Sequence, residues 1–249
     1  MDSPDLRAPV VLLHGLGSSS RDWAFQLPAL EARYRVLAVD LPGHGHRPRS
    51  RRPLSVRGMA EEVIRVLKDE ALPASHVVGV SLGACVALAL ALQAPERVRS
   101  LTLISGFARL RPAGATGALR MLFRLALLAA APMRVVAWQV ARTTFPRPDQ
   151  EDLRRLAVDS LQRTSRREYV AAIGALLAFD ARGHLGRVRC PTLVVAGGDD
   201  RTVPLSATRA LAAGIPGARL VTVPASGHAP HCDAPAVVNA ALLEFLAAT

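Results

Sequence analysis

Short runs of apolar, often β-branched residues recur along the chain, and each run ends in a loop rich in Gly, Pro, Asp or Ser. Continuous apolar runs of this length indicate strands that are covered on both faces. Helical patterns separate several of the runs, which predicts an α/β fold with a mostly parallel sheet of about six strands and helices on both faces. The runs that we interpret as strands are residues 10–13, 36–39, 76–80, 98–104, 192–196 and 220–223.

Residues 109–190 interrupt this alternation, because they contain no convincing strand pattern. We interpret this stretch as an all-helical lid inserted before the last two strands, with prolines between its helices. Residues 1–108 and 191–249 then form one α/β core, which a chain of 249 residues can accommodate. The predicted lid helices cover residues 115–131, 133–143, 148–163 and 166–179.

A Gly-x-Ser-x-Gly pentapeptide, residues 79–83, lies where the third predicted strand meets a helix. In that position the pattern indicates a nucleophile elbow, a sharp turn that presents the Ser side chain above the sheet. Glycines in an ordinary strand-to-helix turn would give the same pattern. The prediction that Ser81 is a nucleophile therefore depends on finding its partners further along the chain.

A serine hydroxyl needs a base to react near neutral pH. In proteins with a nucleophile elbow, the serine is followed along the chain by an acidic residue and then by a histidine, so we expect both at the ends of later strands. Asp199 and Asp200 follow the fifth predicted strand, and His228 follows the sixth. We predict that His228 accepts the proton of Ser81 and that Asp200 orients the imidazole. The alternatives are Asp199, since only one of the adjacent carboxylates can point at the imidazole, and His231.

A tetrahedral intermediate also needs hydrogen-bond donors for its oxyanion. We predict the backbone N–H of Leu82, which follows the nucleophile, and the N–H of Leu16 in the glycine-rich loop after the first strand. His14 in the same loop is assigned no chemical step, and we expect its side chain to tie two loops together. For substrate binding we predict the apolar lid residues Leu122, Phe123 and Trp138, although such side chains could instead pack the lid onto the core.

The net charge is +11, and its excess is concentrated in the middle of the chain. Residues 109–190 carry 15 basic and 6 acidic side chains. Such a surface could attract an acidic partner or an anionic substrate, or it could be a solvated helix face. We predict no nucleic-acid partner, because only 4% of the residues are aromatic and no recognition motif is present. The lid arginines in question are Arg134, Arg142, Arg154, Arg155, Arg163, Arg166 and Arg167.

Several other classes of protein are disfavoured by the sequence. No run of about 18 apolar residues predicts a membrane span, and the N-terminus has no basic region followed by an apolar stretch. Three scattered cysteines indicate reduced thiols in the cytoplasm. No Cys/His cluster has metal-ligand spacing, and no Gly-x-Gly-x-x-Gly opens the first helix, so we predict neither a metal nor a cofactor.

Five segments together resemble the α/β-hydrolase superfamily: HGLGSS at 14–19, DLPGHG at 40–45, GVSLGA at 79–84, PTLVVAGGDDRTVP at 191–204 and SGHAPHCDAP at 226–235. The resemblance implies the same catalytic Ser81, Asp200 and His228 and the same two oxyanion donors. It also implies that the family's usual N-terminal strands are reduced, because the chain begins close to the HGLG strand. In length and in its helical lid the chain is similar to small carboxylesterases, enol-lactonases and pimeloyl-carrier-protein methyl ester esterases. The resemblance to the last group implies that the basic face of the lid docks an acidic carrier protein or an anionic acyl substrate.

These observations predict a serine hydrolase that cleaves a carboxylic ester, a lactone or a thioester of a small molecule through an acyl-enzyme intermediate. The same three residues could alternatively support carbon–carbon bond hydrolysis, acyl transfer to another acceptor or cofactor-free perhydrolysis, since a fold does not fix a function. A non-catalytic receptor on the same scaffold is disfavoured by the complete Ser, His and Asp set.

Overall fold

The computed structural model describes residues 8–48, 53–110 and 114–249. Its sheet has six strands in the order β2-β1-β3-β4-β5-β6, and every neighbouring pair is parallel. The prediction of an α/β fold with about six strands is therefore confirmed. The strands are β1 (Val10–Leu13), β2 (Val36–Val39), β3 (Ser75–Val80), β4 (Val98–Ile104), β5 (Thr192–Gly197) and β6 (Arg219–Val223).

Helices connect the strands and cover both faces of the sheet. Four consecutive helices, α4 to α7, lie between β4 and β5 and match the four predicted from the sequence within a few residues. We refer to residues 114–178 as the helical segment. The helices of the described residues are α1 (Leu27–Glu31), α2 (Val56–Asp69), α3 (Leu82–Gln93), α4 (Gly114–Ala130), α5 (Met133–Thr144), α6 (Glu151–Leu161), α7 (Arg166–Ala178), α8 (Leu205–Gly214), α9 (Pro230–Asp233) and α10 (Pro235–Ala247).

The two faces of the sheet bury separate apolar clusters, because successive side chains of a strand point to opposite faces. In β1, Val11 and Leu13 belong to one cluster, and Val10 and Leu12 belong to the other. The first cluster includes α2, α3 and α8, and the second includes α10. α3 is apolar all round and its residues 82–91 are all buried, as expected for a helix enclosed by its neighbours.

Local sequence signals explain where the helices begin. Ser55 precedes α2 and its hydroxyl accepts a hydrogen bond from the N–H of Gly58. Ser165 precedes α7 and accepts from the N–H of Glu168, whose carboxylate in turn accepts from the Ser165 hydroxyl. Both are N-caps of the usual kind, in which a side chain satisfies a free amide of the first turn. The Ser165 cap thus fixes the residue at which α7, the last helix of the helical segment, begins.

Candidate active site

Ser81 lies between β3 and α3 in a backbone conformation that L-residues rarely adopt, with φ 53° and ψ −109°. The flanking glycines explain how the turn is possible. A Cβ on Gly79 would overlap the carbonyl group of Gly83, and a Cβ on Gly83 would overlap the carbonyl group of Leu13. The turn therefore requires the absence of a side chain at both positions, and it places Ser81 at the N-terminus of α3.

A chain of hydrogen bonds joins the ends of three parallel strands. The Nε2 atom of His228 lies 2.9 Å from the Oγ atom of Ser81, and its Nδ1 atom lies 2.7 Å from Oδ2 of Asp200. The other carboxylate oxygen of Asp200 accepts from the N–H groups of Thr202 at 2.7 Å and Val203 at 2.9 Å. Both Asp200 oxygens are thus occupied, so the carboxylate holds the imidazole from a fixed position.

The competing residues are placed elsewhere. The side chain of Asp199 is exposed, and its backbone N–H donates to the carbonyl of Ser226. His231 is buried, its ring lies 5.2 Å from the ring of Trp23, and burial lowers its pKa to about 3. Of the two adjacent aspartates, the one that contacts His228 is therefore Asp200.

A residue that the sequence analysis did not single out organises the loop before His228. The carboxylate of Asp233 accepts from the hydroxyl of Ser226 at 2.5 Å and from the N–H of Gly227 at 2.9 Å. It also accepts from the side-chain amide of Gln150 at 3.1 Å, which comes from the helical segment. A serine and an aspartate seven residues apart form no recognisable sequence motif. The contacts of Asp233 with this loop are therefore visible only in the folded structure.

The loop after β1 carries one of the two expected oxyanion donors. Leu16 lines the cavity at Ser81, and Leu82 is the first residue of α3, whose initial amides have no acceptor within the helix. His14 behaves as expected of a structural residue. Its Nδ1–H donates to the Gly15 carbonyl at 2.8 Å, its Nε2 accepts from the N–H of Leu41 at 2.9 Å, and burial lowers its pKa to about 3.

Ser81 and His228 open into a cavity of about 520 Å³ between the sheet edge and the helical segment. On α4 the lining residues are spaced three or four apart, so one face of this helix borders the cavity. Leu122 and Phe123 are not among them, and their exposed fractions are 63% and 54%. The residues of α4 that line the cavity are Thr116, Gly117, Arg120, Met121 and Arg124.

None of the three expected substrate residues borders the cavity of Ser81. Leu122, Phe123 and Trp138 all lie outside the cavity of Ser81, and Phe123 and Trp138 line a second cavity beside it. Apolar character alone had suggested these three positions, whereas the direction of each side chain around its helix decides what it contacts. On α5 the residues that border the first cavity are Gln139, Val140, Thr143 and Thr144.

A model of the α/β-hydrolase fold family matches residues 8–235, which is most of the chain. The chain belongs to the α/β-hydrolase family. A putative carbamate hydrolase RutD of Azorhizobium caulinodans is 36% identical over 244 residues, covering 95% of this chain and 90% of the relative. A crystal structure of a hydrolase from Pseudomonas aeruginosa PA01 has 31% identity and a TM-score of 0.88, covering 98% of this chain and 92% of that one.

The fold is also shared with more distant α/β hydrolases. The enol-lactonase of Burkholderia xenovorans LB400 superimposes with a TM-score of 0.89 at 23% identity, covering 99% of this hydrolase and 94% of that chain. Within the described ranges of this hydrolase, no helix is long and apolar enough to cross a membrane. Nor do those ranges contain a group of three or more His, Cys, Asp or Glu residues that could hold a metal ion.

The basic side chains of the helical segment have different roles in this hydrolase. Arg155 lies 3.4 Å from Glu151 and 3.9 Å from Asp152, so its charge is already partnered. Arg154 pairs with Glu151 and also donates to the backbone carbonyls of Phe145, Arg147 and Pro148. Arg166 donates to the carbonyls of Leu128, Ala129 and Ala131 at the C-terminus of α4. Arg163 donates to the carbonyl of Asp159, so four of the seven arginines considered for docking have partners within the segment.

Proposed function

We propose that this hydrolase cleaves a carboxylic ester, or a related lactone or thioester, by transferring the acyl group first to Ser81 and then to water. The observation that carries the proposal is the hydrogen-bonded series of Ser81, His228 and Asp200 at the wall of the cavity. Such a series supplies a nucleophile, a base and a group that fixes the tautomer of the base. Because Asp200 accepts the Nδ1–H of His228, the lone pair of Nε2 faces the hydroxyl of Ser81.

In the first half-reaction, His228 takes the Ser81 proton on Nε2 while Oγ forms a bond to the carbonyl carbon of the substrate. The carbonyl oxygen becomes an oxyanion, which the N–H groups of Leu82 and Leu16 stabilise. The carbon–oxygen bond to the alcohol then breaks, and the imidazolium returns its proton to the leaving oxygen. In the second half-reaction, His228 deprotonates a water that attacks the acyl group, and Ser81 leaves with the proton.

We further propose that residues 109–190 act as a lid on this site. Side chains from α4, α5, α6 and α7 all line the cavity at Ser81. A cover of this kind limits the access of water and shapes the space for the acyl group. The cytoplasm is the location that we propose for the hydrolase, because its three cysteines are all free thiols.

A carbamate is the second candidate substrate, since the curated relative with 36% identity is named a putative carbamate hydrolase. Attack by Ser81 would be the same, but the intermediate would be a carbamoyl-enzyme. Two substrates that share the same leaving group and have acyl groups of similar shape separate the two candidates. They are 4-nitrophenyl isobutyrate and 4-nitrophenyl dimethylcarbamate. An esterase turns over the first and releases about one nitrophenolate per active site from the second, whereas a carbamate hydrolase turns over both.

The first test is hydrolysis of 4-nitrophenyl esters with acyl chains from two to twelve carbons, compared between the wild type and Ser81→Ala. The expected result is turnover by the wild type and background rates for the variant. Labelling by a fluorophosphonate at Ser81 provides a second readout for a hydrolase with narrow specificity. A wild type that neither turns over any ester nor is labelled would refute the proposal, and so would a fully active Ser81→Ala variant.

A further inference from the structure

A second cavity, of about 430 Å³, lies between α4 and α5 beside the cavity of Ser81. Its lining follows helical spacing, so it is a groove between one face of each helix. The loop after β5 contributes Arg201 to the same groove. From α4 the groove is lined by Arg120, Phe123 and Leu127, and from α5 by Val135, Trp138, Gln139, Arg142 and Thr143. We call these nine residues the basic groove.

The basic groove and the cavity of Ser81 share part of their walls. Arg120, Gln139, Thr143 and Arg201 line both spaces. The Nη1 atom of Arg120 donates to the Arg201 carbonyl at 3.5 Å, which links α4 to the loop that carries Asp200. The two spaces are therefore adjacent, and a substrate whose ester bond is at Ser81 would reach the groove by passing between these four side chains.

Three arginines, Arg120, Arg142 and Arg201, line the groove, and no Asp or Glu lines it. Among the described residues, none of the three has a carboxylate within ion-pair distance, in contrast to Arg155, which has two acidic neighbours. Guanidinium groups of like charge repel one another, and a bound anion would relieve that repulsion. Their planar donor geometry matches the paired oxygens of a carboxylate or a phosphate.

Apart from the arginines, the groove is lined by four apolar residues and by the polar Gln139 and Thr143, and it is open to solvent. Phe123 is 54% exposed and Val135 is 45% exposed, although both are large hydrophobic side chains. Exposed apolar surface beside cationic groups suits an amphipathic anion better than an inorganic ion. We propose that the basic groove binds the anionic end, a carboxylate or a phosphate, and the adjoining alkyl chain of the substrate whose ester bond Ser81 cleaves. This inference rests on the proposed function, because the occupant is part of that substrate.

Binding can be measured without turnover through Trp138, which lies in the groove, while Trp23, the other of the two tryptophans, is buried in the core. We expect octanoate and octyl phosphate to change the fluorescence of the Ser81→Ala protein at concentrations at least about tenfold lower than 1-octanol, because a charge-assisted contact is lost with the alcohol. Trp138→Phe should abolish the signal. Comparing the two anions shows whether the groove prefers a carboxylate or a phosphate.

Arg142→Gln should weaken octanoate binding about tenfold and leave 1-octanol binding unchanged. Arg155→Gln is the matched control, since it removes the same charge from an exposed, already paired position. Equal binding of octanoate and 1-octanol would overturn the proposal. An equal loss in both arginine variants would also overturn it, because it would reveal a general effect of net charge.

Catalysis separates this inference from the proposed function. Ethyl hydrogen suberate and ethyl octanoate have the same chain length and differ in a terminal carboxylate, and we expect the anionic ester to have a kcat/KM at least about tenfold higher through a lower KM. Arg142→Gln should remove that advantage. If the neutral ester is cleaved equally well, the groove proposal fails while the esterase stands. If no ester is cleaved but Ser81→Ala binds octanoate selectively, the proposed function fails, and so does the assignment of the groove to its substrate.

Discussion

The substitution Asp200→Asn tests how the carboxylate supports His228. The Asp200 side chain is 2% exposed and accepts three hydrogen bonds, one from the imidazole and two from backbone N–H groups. An asparagine of nearly the same shape has only one acceptor oxygen. The NH₂ of this asparagine must therefore face either the imidazole N–H or the two backbone N–H groups, unless the imidazole changes its tautomer.

The two orientations of the amide have different costs. If its oxygen faces His228, its NH₂ meets the N–H groups of Thr202 and Val203, and the loss of two charge-assisted bonds costs about 1.5–3 kcal/mol each in stability. If its NH₂ faces His228, the backbone bonds survive, but the imidazole must carry its proton on Nε2. That tautomer cannot accept the Ser81 proton. Since the second orientation preserves more of the fold, we expect stability to be nearly unchanged and activity to be lost.

The expected fall in kcat for the best ester substrate is about 10⁴-fold, the loss associated with the wrong tautomer in a Ser-His-Asp enzyme. Rates at saturating substrate and the melting temperature should be measured for Asp200→Asn and for Asp199→Asn, the exposed neighbour. Asp199→Asn should match the wild type in both. A fall of less than about tenfold in Asp200→Asn, with the fold intact, would refute the orienting role of this carboxylate.

Two further predictions concern stability: one tests the cap that Arg166 provides for α4, and the other tests the buried histidines. Arg166→Ala should destabilise the C-terminus of α4 by about 1–3 kcal/mol, since a charged donor to three carbonyls is removed. Limited proteolysis should therefore cut this variant near residue 131 sooner than it cuts the control variant Arg167→Ala. Equal cleavage of both variants would argue against the cap. His14 and His231 have folded-state pKa values lowered to about 3 by burial, so the unfolded state binds protons first and stability falls as the pH drops from about 6.5 towards 3. Urea unfolding at pH 5 should show about 2 kcal/mol less stability per histidine than at pH 7, and His231→Leu should remove about 2 kcal/mol of the total difference, to which His44 and His76 also contribute because burial lowers their pKa values. A pH-independent midpoint would contradict this reasoning.

The sheet and the residues at its edge could be predicted because each depends on a local signal. A buried strand needs a continuous apolar run, and the elbow needs Gly79 and Gly83, where any Cβ would overlap backbone. The order of strand ends then brings Ser81, Asp200 and His228 to one edge. Each of these signals occupies a short stretch of sequence and can be recognised there, even though the backbone that Gly83 approaches, at Leu13, lies far away along the chain.

The contacts of the helical segment could not be predicted in the same way. Leu122 and Met121 are both apolar and adjacent, but only Met121 borders the cavity of Ser81. Which face of α4 turns inward depends on the packing of the whole segment, and no local pattern specifies it. Likewise, Arg166 caps α4 by donating to carbonyls some 35 residues earlier, and such a bond leaves no motif.

The loop of His228 is fastened to one end of the helical segment, and this restricts how the site can admit a substrate. The N–H of His228 donates to the carbonyl of Thr144 at 3.3 Å, and Arg147 donates to the carbonyl of Ala225 at 2.7 Å. A hinge motion that raised the entire segment would break these bonds and move His228 away from Ser81. At the opposite end, α4 buries only Leu128, and the bonds that hold it include Arg120 to the Arg201 carbonyl and Arg166 to the carbonyls at its C-terminus. If the helical segment acts as the lid proposed above, an opening that moves α4 and leaves Thr144 and Arg147 in place keeps His228 beside Ser81 and Asp200, so these residues need not be realigned in each cycle.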